Sequence, residues 1–157
     1  MSARRVLFVC VENAARSLMA EAFFNRVAPR GWTAESSGTE PARGPNPRTG
    51  PMLREVGLEM PAHPPQRLTP ESAADADLVF TMGCLDRESC PVYLIPQVTE
   101  DWKLADPARL DDEGFRAVRD EIRRRVDDLV RRIQGGQLDS RMRVRRPGPN
   151  ASPGSSP

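Results

Sequence analysis

A short apolar run, Val6-Leu7-Phe8-Val9, ends in Cys10, and a helix-like stretch starts a few residues later around Arg16. Few folds accommodate that order. A short, continuous apolar segment is what a strand buried on both faces of a parallel sheet looks like. A helix that follows so closely crosses back over the sheet. The loop between them then lies at the carboxyl edge of the strands, where such sheets bind ligands. Its sequence is Cys10-Val11-Glu12-Asn13-Ala14-Ala15-Arg16-Ser17. Backbone N–H groups in a loop of this kind converge on an anion, and the helix start points its positive dipole end at the same spot. Arg16 supplies a planar, two-pronged donor suited to a tetrahedral oxyanion. The same field favours the thiolate of Cys10, which is the nucleophilic form. A cysteine and an arginine at this spacing are a weak signal alone. Their placement between a buried strand and a helix outweighs the plainer reading of a small buried cysteine with a surface arginine nearby.

The rest of the chain continues the alternation. Ala14 to Val27 reads as a helix with Leu18, Ala22 and Phe23 on one side, ended by Pro29 and Gly31. Trp32 to Ser36 is a second strand, closed by Ser37-Gly38-Thr39. Pro41 to Pro51 and Pro61 to Pro65 read as loops, with a short helix from Met52 to Val56 between them. Pro70 opens a small helix, and Asp77 leads into a third buried strand, Leu78-Val79-Phe80. Gln97 to Trp102 is a short fourth strand. Asp111 or Asp112 caps a long helix whose apolar positions Phe115, Val118, Ile122, Val126, Leu129 and Ile133 step by three or four, and Gly135-Gly136 stop it. Strands alternating with helices predict an α/β fold: one domain with a four-stranded parallel sheet flanked by helices.

At 157 residues the chain suits one such domain. We expect the domain to occupy residues 1–134, followed by an Arg-, Pro- and Ser-rich disordered tail over 135–157, where periodicity is lost. A formal net charge of +1 points to neither a nucleic acid nor a membrane as partner. No apolar run approaches the roughly 20 residues of a membrane span, and Met1 to Arg5 leave no room for a signal sequence. Three cysteines, an odd and low number, fit a reducing cytoplasm better than a disulfide scaffold.

The other two cysteines form the segment Cys84-Leu-Asp-Arg-Glu-Ser-Cys90-Pro91 after the third strand. With that strand beside the first, Cys84 falls at the same sheet edge as Cys10. Three thiols near one oxyanion pocket suggest redox work, because reducing an oxyanion by two electrons takes two thiols and a third moves the disulfide outward by exchange. Idle surface thiols are the plainer alternative. Zinc bound by this pair with His63 is poorly supported, since the cysteine spacing is wrong for a short knuckle and a fourth ligand is missing, so we expect no metal centre. Asp106-Pro107-Ala108 offers a carboxylate on a rigid loop, either a general acid or a simple surface turn.

Val6-Leu-Phe-Val-Cys10-x5-Arg16-Ser17-x-Met19-Ala20-Glu21 resembles the low-molecular-weight phosphotyrosine phosphatase superfamily. Within it the chain is similar to thioredoxin-coupled arsenate reductases. The supporting segments are Glu35-Ser36-Ser37-Gly38-Thr39, Asp77 to Met82 with Cys84 and Cys90, Asp101-Trp102 through Asp106-Pro107-Ala108, and Val118-Arg119-Asp120-Glu121-Ile122 in the last helix. The resemblance covers about residues 4–134 and implies roles position by position. Cys10 attacks arsenate, or another tetrahedral oxyanion, held by residues 11–17: Val11, Glu12, Asn13, Ala14, Ala15, Arg16 and Ser17. Ser17 bonds the thiolate, Asn13 keeps the loop's shape, and Asp106 protonates the leaving oxygen. Cys84 attacks Cys10 and releases arsenite, and Cys90 then attacks Cys84, leaving a Cys84–Cys90 disulfide for thioredoxin. No bound cofactor is implied beyond that external thiol reductant.

The chain departs from the family pattern in several places. Val11-Glu12 stand where members often carry Thr-Gly, which puts a carboxylate beside the anion site. Some members bind a potassium ion next to the loop; Asn13, Glu21 and Ser36 match three of those positions, but the fourth, an Asp, is replaced near Gln66-Arg67. The spacer between Cys84 and Cys90 is one residue shorter than in some members. A low-molecular-weight phosphatase acting on phosphotyrosine or aryl phosphates is the second reading, and it needs Cys10, Arg16 and Asp106 but neither other cysteine. Ala108, where phosphatases usually have an aromatic residue, favours the reductase. A non-catalytic oxyanion- or arsenite-binding redox sensor is the third.

Overall fold

The run after Arg5 is the middle of β1 (Arg4–Cys10), which lies between two parallel neighbours, β2 (Trp32–Gly38) and β3 (Leu78–Thr81). The computed structural model describes residues 3–83 and 90–138. A two-residue strand, β4 (Glu100–Asp101), completes a four-stranded parallel sheet in the order β2-β1-β3-β4. Its helices are α1 (Arg16–Val27), α2 (Thr49–Arg54), α3 (Pro70–Asp75) and α4 (Asp112–Gln134).

Because β1 is covered on both faces, its residues alternate between two hydrophobic layers. Val6 and Phe8 face the larger layer, with Met19, Phe23 and Phe24 of α1, Met52 and Leu53 of α2, and the apolar stripe of α4 from Phe115 to Ile133. Leu7 and Val9 face a smaller layer with Ala73, Val79, Leu68, Cys90 and Leu94. Phe8 centres an aromatic cluster, with ring centroids 5.6 Å from Trp102, 5.9 Å from Phe80 and 6.3 Å from Phe24. Such pairs add about 0.5–1.5 kcal/mol beyond their buried area. Leu138 also packs into the larger layer.

Where the elements differ from expectation, the causes are local. α1 starts at Arg16 rather than Ala14, because the preceding residues form a loop in which Asn13 has a left-handed backbone (φ 52°). β2 runs on to Gly38, whose N–H and C=O bond Gln66 and Leu68. α2 spans Thr49–Arg54 instead of Met52–Val56; Asn46 prepares the turn by accepting from the Arg48 N–H at 2.9 Å, and Pro51 sits in the first turn, where no donor is needed. Only Glu100 and Asp101 pair in the segment expected to be the fourth strand, and Ile95–Gln97 is a 3-10 turn around Pro96, which cannot donate to a ladder. Asp111 caps α4 as expected, accepting from the Gly114 N–H at 2.9 Å.

One ion-pair group ties α2 to α4. Glu55 receives bonds from Arg116 (2.9–3.2 Å) and from Arg119 (2.6 Å), and Arg119 also donates to the Met52 carbonyl at 3.0 Å. The bonds from Arg116, then those from Arg119, hold the Glu55 carboxyl down from 4.5 to about 2. A carboxyl whose folded value is depressed stabilises the fold above its unfolded value and loses that contribution as pH falls towards the folded one. Thermal unfolding between pH 5 and 2 should therefore steepen in the native protein and be flatter in Glu55→Gln. The difference should shrink in high salt, because the group is exposed. Identical pH profiles for the two proteins would contradict this account.

Candidate active site

The loop between β1 and α1 is shaped by where its carbonyls go. The C=O groups of Cys10, Val11, Glu12 and Ala14 accept from the N–H groups of Thr39, Glu40, Ala42 and Asn46 at 2.8–3.1 Å. Thr49 adds its hydroxyl to the Ala14 carbonyl at 2.8 Å. With the carbonyls drawn outward, the amides of Glu12, Ala14 and Ala15 are not taken up by any described residue and remain for an anion. α1 starts from Ala15 with no side-chain cap and no acidic residue in its first turn, so its positive end is not neutralised locally.

Cys10 is 2% exposed at the bottom of this loop. Its Sγ lies 2.9 Å from Ser17 Oγ and accepts from the Asn13 N–H at 3.2 Å. Asn13 fixes the direction of the first bond. Its amide donates to Ser17 Oγ at 2.7 Å, which leaves the hydroxyl hydrogen to point at sulfur. The other amide hydrogen of Asn13 goes to Ser36 Oγ at 3.0 Å, Ser36 donates to Glu21 at 2.5 Å, and the same carboxylate oxygen meets His63 Nε2 at 2.8 Å. The Asn13 carbonyl oxygen accepts from the Gln66 N–H at 2.9 Å. One side chain thus joins the sulfur, the loop and the back of the sheet.

Arg16 is buried at the start of α1. Its Nη1 donates to the carbonyls of Met82 (3.0 Å) and Leu104 (3.1 Å), and the residue lines the cavity above Cys10. That cavity, about 330 Å³, is walled by Cys10, Val11, Glu12, Ala14, Ala15 and Arg16 from the loop; Asn46, Asp106, Ala108 and Arg109 face them. Asp106 stands at the start of a 3-10 turn (Pro107–Arg109), with Oδ1 accepting from the Ala108 N–H at 3.0 Å. A carboxyl group over a buried cysteine, beside an arginine and free amides, can hold a tetrahedral oxyanion and deliver a proton to an oxygen leaving it.

Most sequence-predicted residues are therefore brought together. Cys10, Val11, Glu12, Ala14, Ala15, Arg16 and Asp106 line one cavity, while Asn13 and Ser17 are buried behind it. Cys90 does not line it; it is 8% exposed in the smaller layer with Leu7, Val9, Leu68 and Leu94. Cys84 lies outside the described residues, as does the tail from residue 139. Chain order does place β3 beside β1, and the Met82 N–H bonds the Val9 carbonyl at 3.0 Å, level with the end of β1. Gly83 follows with φ 116°, its N–H held by Asp101 at 2.8 Å.

A family model for low molecular weight phosphotyrosine protein phosphatases matches residues 5–138. The chain belongs to that family. Among its relatives, arsenate reductase 1 of Staphylococcus epidermidis is 31% identical over 134 residues, which cover 85% of this chain and all of that protein. A thioredoxin-dependent arsenate reductase of Corynebacterium glutamicum superposes with a TM-score of 0.71 at 33% identity, covering 87% of this chain and 64% of the other. The YwlE arginine phosphatase of Geobacillus stearothermophilus superposes with a TM-score of 0.73 at 28% identity, covering 85% and 95%. The family's phosphatase-like sheet is thus the one described above.

Three features of this family member escaped the sequence reading. Gly38 packs against the loop backbone, Arg109 and Asn46 reach the cavity rim, and His63 joins the network behind the loop. Gly38 alone had a local signal, a glycine ending the strand beside the loop. The residues that match a potassium site do not fit one here. Asn13 and Ser36 are bonded to one another, to Ser17, Gln66 and Glu21, and His63 rather than an acid faces the Glu21 oxygen that Ser36 meets. Burial opposes the charged imidazole, but the Pro64 carbonyl and the Glu21 carboxylate, with Glu35 nearby, raise its pKa overall. Among the described residues, no group of three or more His, Cys, Asp or Glu is placed to hold a metal ion. None of the described helices is long and apolar enough to cross a membrane.

Proposed function

We propose that the protein reduces arsenate to arsenite with three thiols, taking electrons from thioredoxin in the cytoplasm. The observation that carries the reading is the buried Cys10 sulfur under two hydrogen-bond donors, at the floor of a cavity that Arg16 and Asp106 also line. The Cys10 thiolate attacks arsenic, Asp106 gives its proton to the departing oxygen, and water leaves, so that a thiol–arsenate adduct stands in the loop. Cys84 then attacks the Cys10 sulfur. The S–As bond breaks, its electron pair stays on arsenic, and As(V) becomes As(III) as arsenite departs. Cys90 attacks Cys84, the Cys10 thiolate is restored, and a Cys84–Cys90 disulfide remains for an external dithiol. Met82 supports the second step: it is bonded to Arg16 and precedes Cys84 by two residues, about 7 Å of backbone at most. The relatives named as arsenate reductases, one of them thioredoxin-dependent, support the substrate and the reductant. The reading treats residues after the domain as a tail outside the chemistry, with neither nucleic acid nor membrane as partner.

The test is arsenate-dependent NADPH oxidation with thioredoxin and thioredoxin reductase. Cys84→Ser and Cys90→Ser should each stop cycling while keeping hydrolysis of an aryl phosphate, which needs only the Cys10 cavity. Full cycling in either variant would sink the three-thiol scheme. Hydrolysis by the native protein with no arsenate-dependent oxidation would return the reading to a phosphatase. A single stoichiometric oxidation without turnover would mark a sensor.

A further inference from the structure

The cavity is larger than the ion that the loop can hold. Four oxygens of a tetrahedral oxyanion displace roughly four waters' worth of liquid, on the order of 120 Å³, against a cavity of about 330 Å³. The excess is the rim, and the rim carries opposite charges that the reaction scheme leaves unused. Arg109 lines it from the 3-10 turn that begins at Asp106, held by its N–H to the Asp106 carbonyl at 3.2 Å. Glu12 lines it from the loop, its backbone fixed through the Ala42 N–H at 3.0 Å. Both are exposed, and neither side chain has a hydrogen-bond or ion-pair partner among the described residues.

The other described cations nearby are already bonded. Arg16 spends Nη1 on the carbonyls of Met82 and Leu104. Arg48, close to the same turn, is bonded to Asp112 at 3.1 Å and to the Pro107 carbonyl at 3.1 Å, and it covers the Phe115 ring. Among the described residues, Arg109 is therefore the one cation lining the cavity besides Arg16, and its guanidinium has no partner there.

We propose that Arg109 and Glu12 set the oxyanion affinity of the cavity in opposite directions. Arg109 draws the dianion in and holds its outer oxygens, while Glu12 repels it. A rim charge acts on a dianion with twice the energy it exerts on a monoanion, so Arg109 favours tetrahedral dianions and Glu12 offsets that preference. Arg109 acts on binding, and the attack at Cys10 proceeds without it. The inference rests on the reading of the cavity as an oxyanion site, but its test does not depend on arsenate reduction.

Full-length protein carrying Cys84→Ser and Cys90→Ser leaves Cys10 as the only thiol. Protection of that thiol from iodoacetamide by inorganic phosphate measures oxyanion affinity directly. Arg109→Gln should raise the half-protecting phosphate concentration about 5- to 20-fold. Glu12→Gln should lower it several-fold, Arg109→Lys should stay near the parent, and the shifts should shrink as potassium chloride is raised. With all three thiols present, Arg109→Gln should raise the KM for arsenate by a similar factor and leave kcat nearly unchanged. Arg109→Gln and Glu12→Gln within two-fold of the parent, or shifting phosphate affinity in the same direction, overturn the proposal. Rim effects on phosphate in a protein that does not reduce arsenate would refute the proposed reaction and leave this inference standing.

Discussion

Cys10→Ser should leave a folded protein that still binds inorganic phosphate and turns over neither arsenate nor an aryl phosphate. The substitution exchanges one atom in a position 2% exposed, so packing changes little. The hydroxyl keeps Ser17 and the Asn13 N–H as partners, which preserves the loop. It does not keep the nucleophile: an alcohol ionises far less readily than a thiol, and the donors around it cannot close that gap. Loss of a covalent nucleophile whose partners act as a unit costs on the order of 10⁴- to 10⁶-fold in turnover. Steady-state rates on both substrates, with phosphate binding by calorimetry as the control for folding, check this. Activity above about 1% of native on either substrate would remove Cys10 from the first step, since a nucleophile's loss costs far more.

Gly38→Ala is expected to be the most damaging change outside the cavity. A Cβ there would lie 2.6 Å from the Val11 oxygen, 2.9 Å from the Asn13 nitrogen and 3.0 Å from the Glu12 carbonyl carbon. All three are backbone atoms of the anion loop, so no side chain can swing aside to make room. The need is for space, since Gly38 is not among the residues with positive φ. Either β2 moves away from β1 or the loop moves into the cavity. Overpacking costs about 1–3 kcal/mol of stability, and a displacement of about 1 Å at a reacting centre costs about 100-fold in rate. We expect kcat/KM to fall by about that factor, with a lower urea midpoint. Native-like kcat/KM in a folded Gly38→Ala protein would show that the loop tolerates the methyl group.

The parts of this molecule that were readable in its sequence are those set by near neighbours. β1, the Cys10-to-Arg16 loop and α1 follow one another within the first 27 residues, and each is specified by its own pattern. α4 was readable because six apolar positions at helical spacing specify a buried face without reference to anything distant. β4 was overestimated, because a stretch of mixed residues around Pro96 gives no local sign of how few of them find a ladder partner. The roles of His63, Gly38 and Arg109 were hidden for a different reason. Each acquires its role from a residue 42, 27 or 97 positions away, numbers that only the packed chain reveals: Glu21, Val11 and Glu12 respectively. Glu12, by contrast, was readable as a charge out of place but not as half of a rim.

Arg16 carries a burden that its place in the loop conceals. The same nitrogen that braces its guanidinium pins the carbonyl of Met82, where the chain leaves β3 for Cys84, and the carbonyl of Leu104, where it turns towards Asp106. Three stretches of chain that are far apart in sequence are keyed to one side chain. A lysine could restore a positive charge, but it lacks the flat fork that grips two carbonyls and an anion at once. Loss of the arginine would therefore free the carbonyls of Met82 and Leu104 together, so a change made at the loop is felt at the ends of two distant segments at once.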